Sequence, residues 1–181
     1  MDFNKVVKLI LSIIICELAG LVGSIFTAPS IGLWYKNLNK PIFNPPSWIF
    51  APVWTTLFVL MGISLYLVWS KKWQVKNNIS GQNKKPWNSL SHKFFTGSWQ
   101  KTNIILIFSL QLVLNALWSI IFFGVHSPAV AFFELIMLWF AIMFTIVNFY
   151  RVSKIAALLL LPYILWVSFA AILNYSIWIL N

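Results

Sequence analysis

Five apolar stretches, each about as long as a membrane is thick, constrain the fold of this chain more than any other feature. Only 9% of the 181 residues are charged and 60% are hydrophobic, with a mean hydropathy of +0.83. A soluble domain carries about 25% charged residues, so this composition excludes an ordinary soluble fold. About 20 apolar residues cross a hydrocarbon core as an α-helix. The spans are predicted at residues 6–26, 47–70, 102–123, 128–149 and 153–179.

The chain is therefore predicted to be an all-α integral membrane protein, a single domain over residues 1–181 that forms a bundle of five transmembrane helices. Lys5 and Lys8 lie ahead of the apolar run of the first span, as they would in a secretory signal peptide. Glu17 inside the apolar run and the nearly full length of the span favour a retained helix. The connections after the third and fourth spans are short, so the last three helices are predicted to pack as antiparallel neighbours.

Positive charges fall mainly on one side of the predicted membrane. The N-terminus and the second and fourth connections together carry eleven lysines and arginines, against Lys36 and Lys40 on the other side. The positive-inside rule then places the N-terminus in the cytoplasm and the C-terminus outside, if the chain lies in a cytoplasmic membrane. The net charge of +10 is thus explained by topology and contact with anionic lipid. A nucleic-acid partner is not expected, because no basic face on a soluble module is visible.

Residues 34–69 contain four tryptophans and four prolines, more rigid groups than a simple membrane span needs. Four prolines also occur in the predicted first connection: Pro29, Pro41, Pro45 and Pro46. Proline restricts its own φ and the residue before it, so this connection is predicted to be ordered and to cap the bundle. Trp54 lies just beyond it. The pattern indicates an aromatic-lined site for a flat apolar ligand, with the lipid bilayer as the other partner.

The third and fifth spans each carry a stripe of residues at helical spacing. On the third span the stripe consists of Gln111, Asn115, Trp118 and Phe122. Two interpretations of the amides stay open: they bond to neighbouring helices, or they line a pocket and orient a ligand. On the fifth span Pro162 predicts a kink that neighbouring helices can accommodate. Trp166, Ala170, Leu173 and Ile177 follow it on one face. Packing and ligand contact are equally compatible with it.

Residues suited to acid–base or metal chemistry are few. Glu17 and Glu134 lie within spans, where acids are functional candidates by default. No lysine or arginine lies in the interior of a span to pair with them, which disfavours proton or ion coupling. His92, His126 and the single Cys16 do not form a metal-ligand pattern, and neither histidine lies at the depth of a haem axial ligand. No metal site and no required cofactor are predicted, and a tetrapyrrole would be held by stacking.

Rare residues at fixed spacing occur in four segments. They are Gly20-x-Val22-Gly23-Ser24, Lys40-Pro41 through Pro52-Val53-Trp54-Thr55, Gln111-Leu112-x-Leu114-Asn115-x-x-Trp118, and Leu161-Pro162-Tyr163-x-x-Trp166 through Leu173-Asn174. In these residues the chain resembles the TspO/MBR family, that is, the translocator proteins or peripheral-type benzodiazepine receptors, in its bacterial form. The resemblance covers almost the whole chain.

The resemblance implies a five-helix bundle, commonly a homodimer, with a ligand pocket between helices beneath the first connection. Porphyrins such as protoporphyrin IX and haem-type tetrapyrroles are the implied ligands, alongside other apolar molecules, in tetrapyrrole transport, sensing or stress response. The positions that match the family's pocket are Trp54, Asn115, Trp118, Trp166, Ala170 and Leu173. Mammalian members have a basic residue in a sterol motif near the end of the last helix, and no Lys or Arg follows Tyr175 here.

Two other functions remain open. Some bacterial members are reported to degrade protoporphyrin IX with light and oxygen, and Trp54 and Trp166 match the two tryptophans implied as catalytic in that reaction. The chain is alternatively a secondary transporter of apolar ligands or sterols. Such transporters often show internal repeats, and an odd number of spans without a visible repeat counts against this alternative.

Overall fold

The computed structural model describes residues 3–71 and 97–181, with side chains from residue 102 onward in the second range. Every regular element in these ranges is helical. The α-helices are α1 (Phe3–Leu33), α2 (Phe50–Trp69), α3 (Gly97–Ser119), α4 (Pro128–Val152), α5 (Lys154–Leu158) and α6 (Leu161–Leu180). Single 3₁₀ turns lie at Tyr35–Asn37 and Ser47–Ile49, and a π-helical turn at Ile120–Gly124 follows α3.

Within the described ranges, five helical segments are long and apolar enough to cross a membrane. They are Phe3–Leu33, Ser47–Trp69, Thr102–Gly124, Pro128–Val152 and Lys154–Leu180. The all-α, five-span membrane fold is thus confirmed, and the protein is an integral, multi-pass membrane protein. Most of the basic second connection, including His92, lies outside the described residues.

Helix α1 is longer than predicted. It ends at Leu33 rather than at residue 26, and the placement of Pro29 in the first connection was wrong because Pro29 lies inside this helix. Contacts with the end of the third span hold the last turns in place. The Ser30 hydroxyl donates to the Phe123 carbonyl at 2.7 Å, and the Phe26 ring packs against Gly124. Such tertiary contacts let a membrane helix continue through a proline.

The fifth span is interrupted, as Pro162 predicted. Helix α5 ends at Leu158 and α6 begins at Leu161. The Leu160 amide donates to the Ala157 carbonyl at 3.1 Å. In a regular α-helix this amide would donate to the Ala156 carbonyl, so the tighter turn leaves that carbonyl without its usual backbone donor. The Ser64 hydroxyl of α2 donates to the Ala156 carbonyl at 2.7 Å. A neighbouring helix thus satisfies the carbonyl at the break.

The two ends of the bundle differ in charge. We name as the charged end the one where α1 begins, α2 ends and α4 meets α5, with Lys5, Lys8, Lys71, Arg151 and Lys154. Lys71, two residues after the end of α2, donates its Nζ to the Val152 carbonyl of α4, which shows that these termini lie together. Helices α3 and α4 and helices α4 and α6 pack against each other, as the short connections predicted.

The opposite, capped end is closed by residues 34–46. Here Asn39 and the C-terminal Asn181 are joined by two hydrogen bonds, from Asn39 N to Asn181 Oδ1 at 2.9 Å and from Asn181 Nδ2 to Asn39 O at 3.0 Å. Tyr35 is buried against Phe122 and Phe123. The first connection is therefore ordered and caps the bundle, as its prolines predicted.

Candidate functional site: an aromatic cavity between four helices

A cavity of about 430 Å³ lies inside the capped half of the bundle. Its walls come from α1, α2, the third span and α6, and Tyr35 of the first connection lies at its mouth. The residues that line it do not include any from α4. Its volume falls in the range of about 300–1,000 Å³ that is common for small-molecule sites. The fold thus provides one continuous space between helices that approach the capped end.

Helices α2 and α6 supply two tryptophans to the wall. Trp54 stacks on Phe58, one turn later on α2, with ring centroids 5.6 Å apart and an interplanar angle of 28°. Trp166 of α6 meets Phe50 edge-on at 6.1 Å and Phe169 at 5.5 Å. Each indole is held by neighbouring rings, so the wall is a rigid aromatic surface.

The third span supplies a further stacked pair. Trp118 stacks on Phe122 with centroids 5.3 Å apart and an angle of 24°. The π-helical turn begins two residues after Trp118 and contains Phe122 and Phe123, both of which line the cavity. Single π turns occur often at functional sites because they redirect side chains. The Trp118 Nε1–H is buried without a hydrogen-bond partner, so the cavity wall contains an unused donor.

Asn115 connects the cavity with the core. Its Nδ2 donates to the Tyr163 hydroxyl of α6 at 3.0 Å, and Asn115 also lines the cavity. Both interpretations of the α3 stripe therefore apply to this residue. Gln111, one turn earlier, is 1% exposed and has no partner for either amide atom, and it is not among the lining residues. Glu134 of α4 is also buried, with neither carboxyl oxygen hydrogen-bonded.

Helix α1 forms a wall of small and polar residues that the sequence analysis did not assign to the site. The lining residues on this face include Glu17, Gly20, Ser24, Thr27 and Ile31. At Gly20 a small residue is required, since a Cβ there would collide with the Phe58 ring. The signal was present in the sequence, because these five residues recur at helical spacing and share one face.

The mouth of the cavity is organised around Tyr35. The Tyr35 hydroxyl donates to Asn44 Oδ1 at 2.7 Å. Burial raises the pKa of Tyr35 above its ordinary value of 10.0, and the hydrogen bond with Asn44 opposes this rise. The Lys40 Nζ lies 4.8 Å from the centroid of the Tyr35 ring, a cation–π contact. The phenol therefore stays neutral at physiological pH and anchors both Asn44 and Lys40.

All six residues predicted to bind a ligand line this one cavity: Trp54, Asn115, Trp118, Trp166, Ala170 and Leu173. Their role in binding remains a prediction, as does catalysis by Trp54 and Trp166. His126 lies instead beyond the wall, where its ring stacks on Trp34 at 4.5 Å. In the part of the chain that the structure describes, no three His, Cys, Asp or Glu residues gather into a group that could hold a metal ion.

These features define a class of protein: a helical, five-span membrane protein with an aromatic small-molecule cavity beneath an ordered cap. The sequence profile of the TspO/MBR family matches residues 12–179. The chain belongs to the TspO/MBR family.

Relatives extend over nearly the full length of the chain. It is 39% identical over 177 residues to the tryptophan-rich protein TspO of Archaeoglobus fulgidus, which covers 98% of this chain and 99% of that protein. It is also 39% identical to the protein of the same name from Chlorobaculum tepidum, with 98% of each chain covered. It is 36% identical to the human translocator protein over 157 residues, which cover 87% of this chain and 80% of the human protein.

Proposed function

We propose that this protein binds tetrapyrroles, with protoporphyrin IX as the representative ligand, in the cavity between α1, α2, α3 and α6. The observation that carries the proposal is the convergence of Trp54, Trp118 and Trp166, from three different helices, on one apolar space. A flat conjugated macrocycle gains most from stacking on rigid aromatic side chains.

Most of the surface that lines the cavity is apolar, and this too suits a largely apolar ligand. The buried Trp118 Nε1–H has no partner in the protein, and we propose that an acceptor on the ligand provides one. Asn115 is held in one orientation by Tyr163. Small-molecule sites commonly combine apolar walls with a few such placed groups, which fix the orientation of the ligand.

The test is a titration of purified protein in detergent, followed through the Soret absorbance of protoporphyrin IX. Wild-type protein should show saturable binding, and Trp118→Phe should weaken it by about tenfold through the lost donor and stacking area. Trp48→Phe is the matched control, because Trp48 is 73% exposed and outside the cavity. Non-saturable partitioning that is equal in all three proteins would refute the proposal.

A second candidate function is degradation of protoporphyrin IX in light, with dioxygen as the oxidant and the macrocycle as the group oxidised. The observation that favours it is that Trp54 and Trp166, the two positions implied by the family resemblance, line the same cavity. The ring centroids of Trp54 and Tyr163 are also 6.3 Å apart, in an edge-on contact that connects the cavity to a buried phenol.

This candidate is tested by illuminating the saturated complex in air. Degradation predicts loss of porphyrin absorbance that stops in the double variant Trp54→Phe, Trp166→Phe, while the double variant still binds. Equal rates of loss in the double variant and in wild-type protein would rule out catalysis by the two tryptophans. A stable absorbance in wild-type protein would leave binding, or transport measurable as flux into proteoliposomes.

We further propose that the N-terminus faces the cytoplasm and that the protein forms a homodimer. The orientation is supported by the position of Lys71 beside Val152, since the basic residues whose side chains are described, apart from Lys36 and Lys40, share that end. In a Cys16→Ser background, the variant Asn181→Cys should react with an impermeant thiol reagent in intact cells, and the variant Asn4→Cys should not. Light scattering in detergent should give twice the mass of 20.9 kDa.

A further inference from the structure

Helices α1 and α2 separate near the middle of α1, and Glu17 lies at the point of separation. Towards the charged end the two helices touch so closely that a Cβ at Gly62 would lie 2.5 Å from the Cα of Ile13. Towards the capped end, Gly20 packs against the Phe58 ring, and both residues line the cavity. Glu17 comes between Ile13 and Gly20 on α1 and lines the cavity as well. The deep end of the cavity therefore carries a carboxyl group.

This carboxyl group has an oxygen, Oε1 of Glu17, that is buried without a hydrogen-bond partner. Ser24, Thr27 and Thr55 line the same cavity, but each donates its hydroxyl to a backbone carbonyl of its own helix at 2.7–3.0 Å. Among the described residues, no lysine, arginine or histidine lines the cavity. An ionisable group in apolar surroundings is costly unless it is paired. The Glu17 carboxyl therefore lacks a donor that a ligand in the cavity could supply.

The surroundings of Glu17 suit an organic cation. The Phe58 ring contacts Gly20, three residues after Glu17, and stacks on Trp54 with centroids 5.6 Å apart. Aromatic faces attract ammonium groups, and more strongly where water is excluded. An ammonium N–H would give the carboxyl oxygen its missing donor, and the pair would carry no net charge. A metal ion fits less well, because the described lining offers one carboxyl and neither imidazole nor thiolate.

We infer that the deep end of the cavity, formed by Glu17, Gly20 and Phe58, is a subsite for the ammonium group of an apolar amine. The ammonium donates to the Glu17 carboxylate and lies near the Phe58 ring, while the apolar body of the ligand stacks on the cavity tryptophans. The inference goes beyond tetrapyrrole binding, because it adds apolar organic cations as a second class of ligand. The site therefore selects amines over neutral molecules of the same shape.

The experiment titrates purified protein in a non-ionic detergent with two fluorescent probes, 1-pyrenemethylamine and 1-pyrenemethanol. Both have the same flat apolar body, and they differ in an ammonium group against a neutral hydroxyl. Wild-type protein should bind the amine about tenfold more tightly, as expected for a hydrogen bond to a charged group. Glu17→Gln keeps the size of the side chain and removes its charge, so it should abolish this preference and keep the affinity for the alcohol.

Glu134→Gln is the matched control, because Glu134 is a buried acid within a span that does not line the cavity. This variant should keep the preference for the amine. Equal affinity of wild-type protein for the two probes, or a preference that survives in Glu17→Gln, would overturn the inference. Loss of the preference in Glu134→Gln would overturn it too, since the effect would then not belong to the cavity.

A second variant covers the case in which Glu17→Gln binds neither probe. Leu21 lies one turn after Glu17 and is 59% exposed, so the lysine of Leu21→Lys can pair with the carboxylate and compete with the ligand. This variant should lose the preference and keep the alcohol, and a preserved preference would overturn the inference. Absence of saturable binding of both probes to wild-type protein would also overturn it, whereas the Soret titration tests tetrapyrrole binding separately.

Discussion

The helices are similarly apolar in both halves of the bundle, yet the half next to the charged end is closely packed and the half next to the capped end contains the cavity. We call them the solid half and the hollow half. In the charged half, α1 and α2 touch through their backbones at Gly62 and Ile13, and the Phe108 and Phe149 rings stack almost parallel at 5.5 Å. In the capped half, the same two helices leave the cavity between them. The difference teaches that side-chain size, rather than hydrophobicity, decides where a membrane bundle closes.

Small residues allow close helix approach in lipid, where no hydrophobic force drives helices together. Gly62 and Ser64 play this part in the charged half. Large rings have the reverse effect in the capped half. Another aromatic ring packs against each of Trp54, Trp118 and Trp166 and holds the indole in the cavity wall, so the space between the helices stays open. The cavity is therefore a consequence of rigid rings that face small residues on α1.

The largest effect is expected at the closest helix contact, in Gly62→Val. A Cβ at this position would lie 2.5 Å from the Cα of Ile13, and a backbone atom cannot move aside cheaply. We expect a loss of about 3 kcal/mol or more in the free energy of unfolding. Circular dichroism during thermal or denaturant unfolding in detergent measures it.

Gly32→Ala provides the control for that prediction. A Cβ at Gly32 meets no atom within 4 Å, and the residue lies in α1. Replacement of an unconstrained helical glycine by alanine should be neutral or stabilising by up to about 1 kcal/mol. If the Gly62→Val variant were as stable as the wild-type protein, α1 and α2 would not be locked together in the charged half.

The next effect concerns the hollow half and is specific to binding. Ala170→Phe should fill part of the cavity and lower the affinity for protoporphyrin IX by about tenfold or more, while the free energy of unfolding changes by less than about 1 kcal/mol. Leu165→Phe is the control on the same helix, because Leu165 is 69% exposed and outside the cavity. A large loss of stability in Ala170→Phe without any change in affinity would mean that the cavity is a packing defect rather than a ligand site.

Much of this architecture follows from the sequence. Hydropathy located all five spans, and the prolines predicted both the ordered cap and the interruption at Pro162. Pro29 was misplaced because local rules treat proline as a helix terminator. The bond from Ser30 to Phe123, which spans 93 residues of sequence, holds the helix beyond it. Such a contact has no local signature.

For the site, too, some residues were predicted from the sequence and others were not. The family resemblance supplied the residues of α2, α3 and α6 that line the cavity, whereas the α1 wall was missed. The face of Glu17, Gly20 and Ser24 has the helical period, but small residues on a membrane helix are read first as a packing surface. The Phe58 ring packs against Gly20, and only the three-dimensional arrangement of the surrounding helices shows that this face lines a cavity. Glu17, a functional candidate from its position within a span, lines the end of the cavity towards the membrane centre.

The smallest effect is expected where the two halves meet, at the hydrogen bond from Asn115 to Tyr163. Tyr163 is fully buried in the solid core, and Asn115 lines the cavity. Tyr163→Phe should lower the free energy of unfolding by about 0.6–1 kcal/mol, the usual value for such bonds between membrane helices. A double-mutant cycle with Asn115→Ala isolates the coupling of the pair.

That cycle also tests how the solid half supports the hollow one. If the bond keeps Asn115 oriented in the cavity wall, Tyr163→Phe should weaken porphyrin binding about two- to threefold as well, through an amide that is free to turn. A coupling energy near zero would contradict this, since it would show that ring packing alone holds Asn115. The solid half would then support the cavity only through side-chain packing. The orientation of the ligand would depend on Trp118 and on the residues around Tyr35 at the mouth of the cavity.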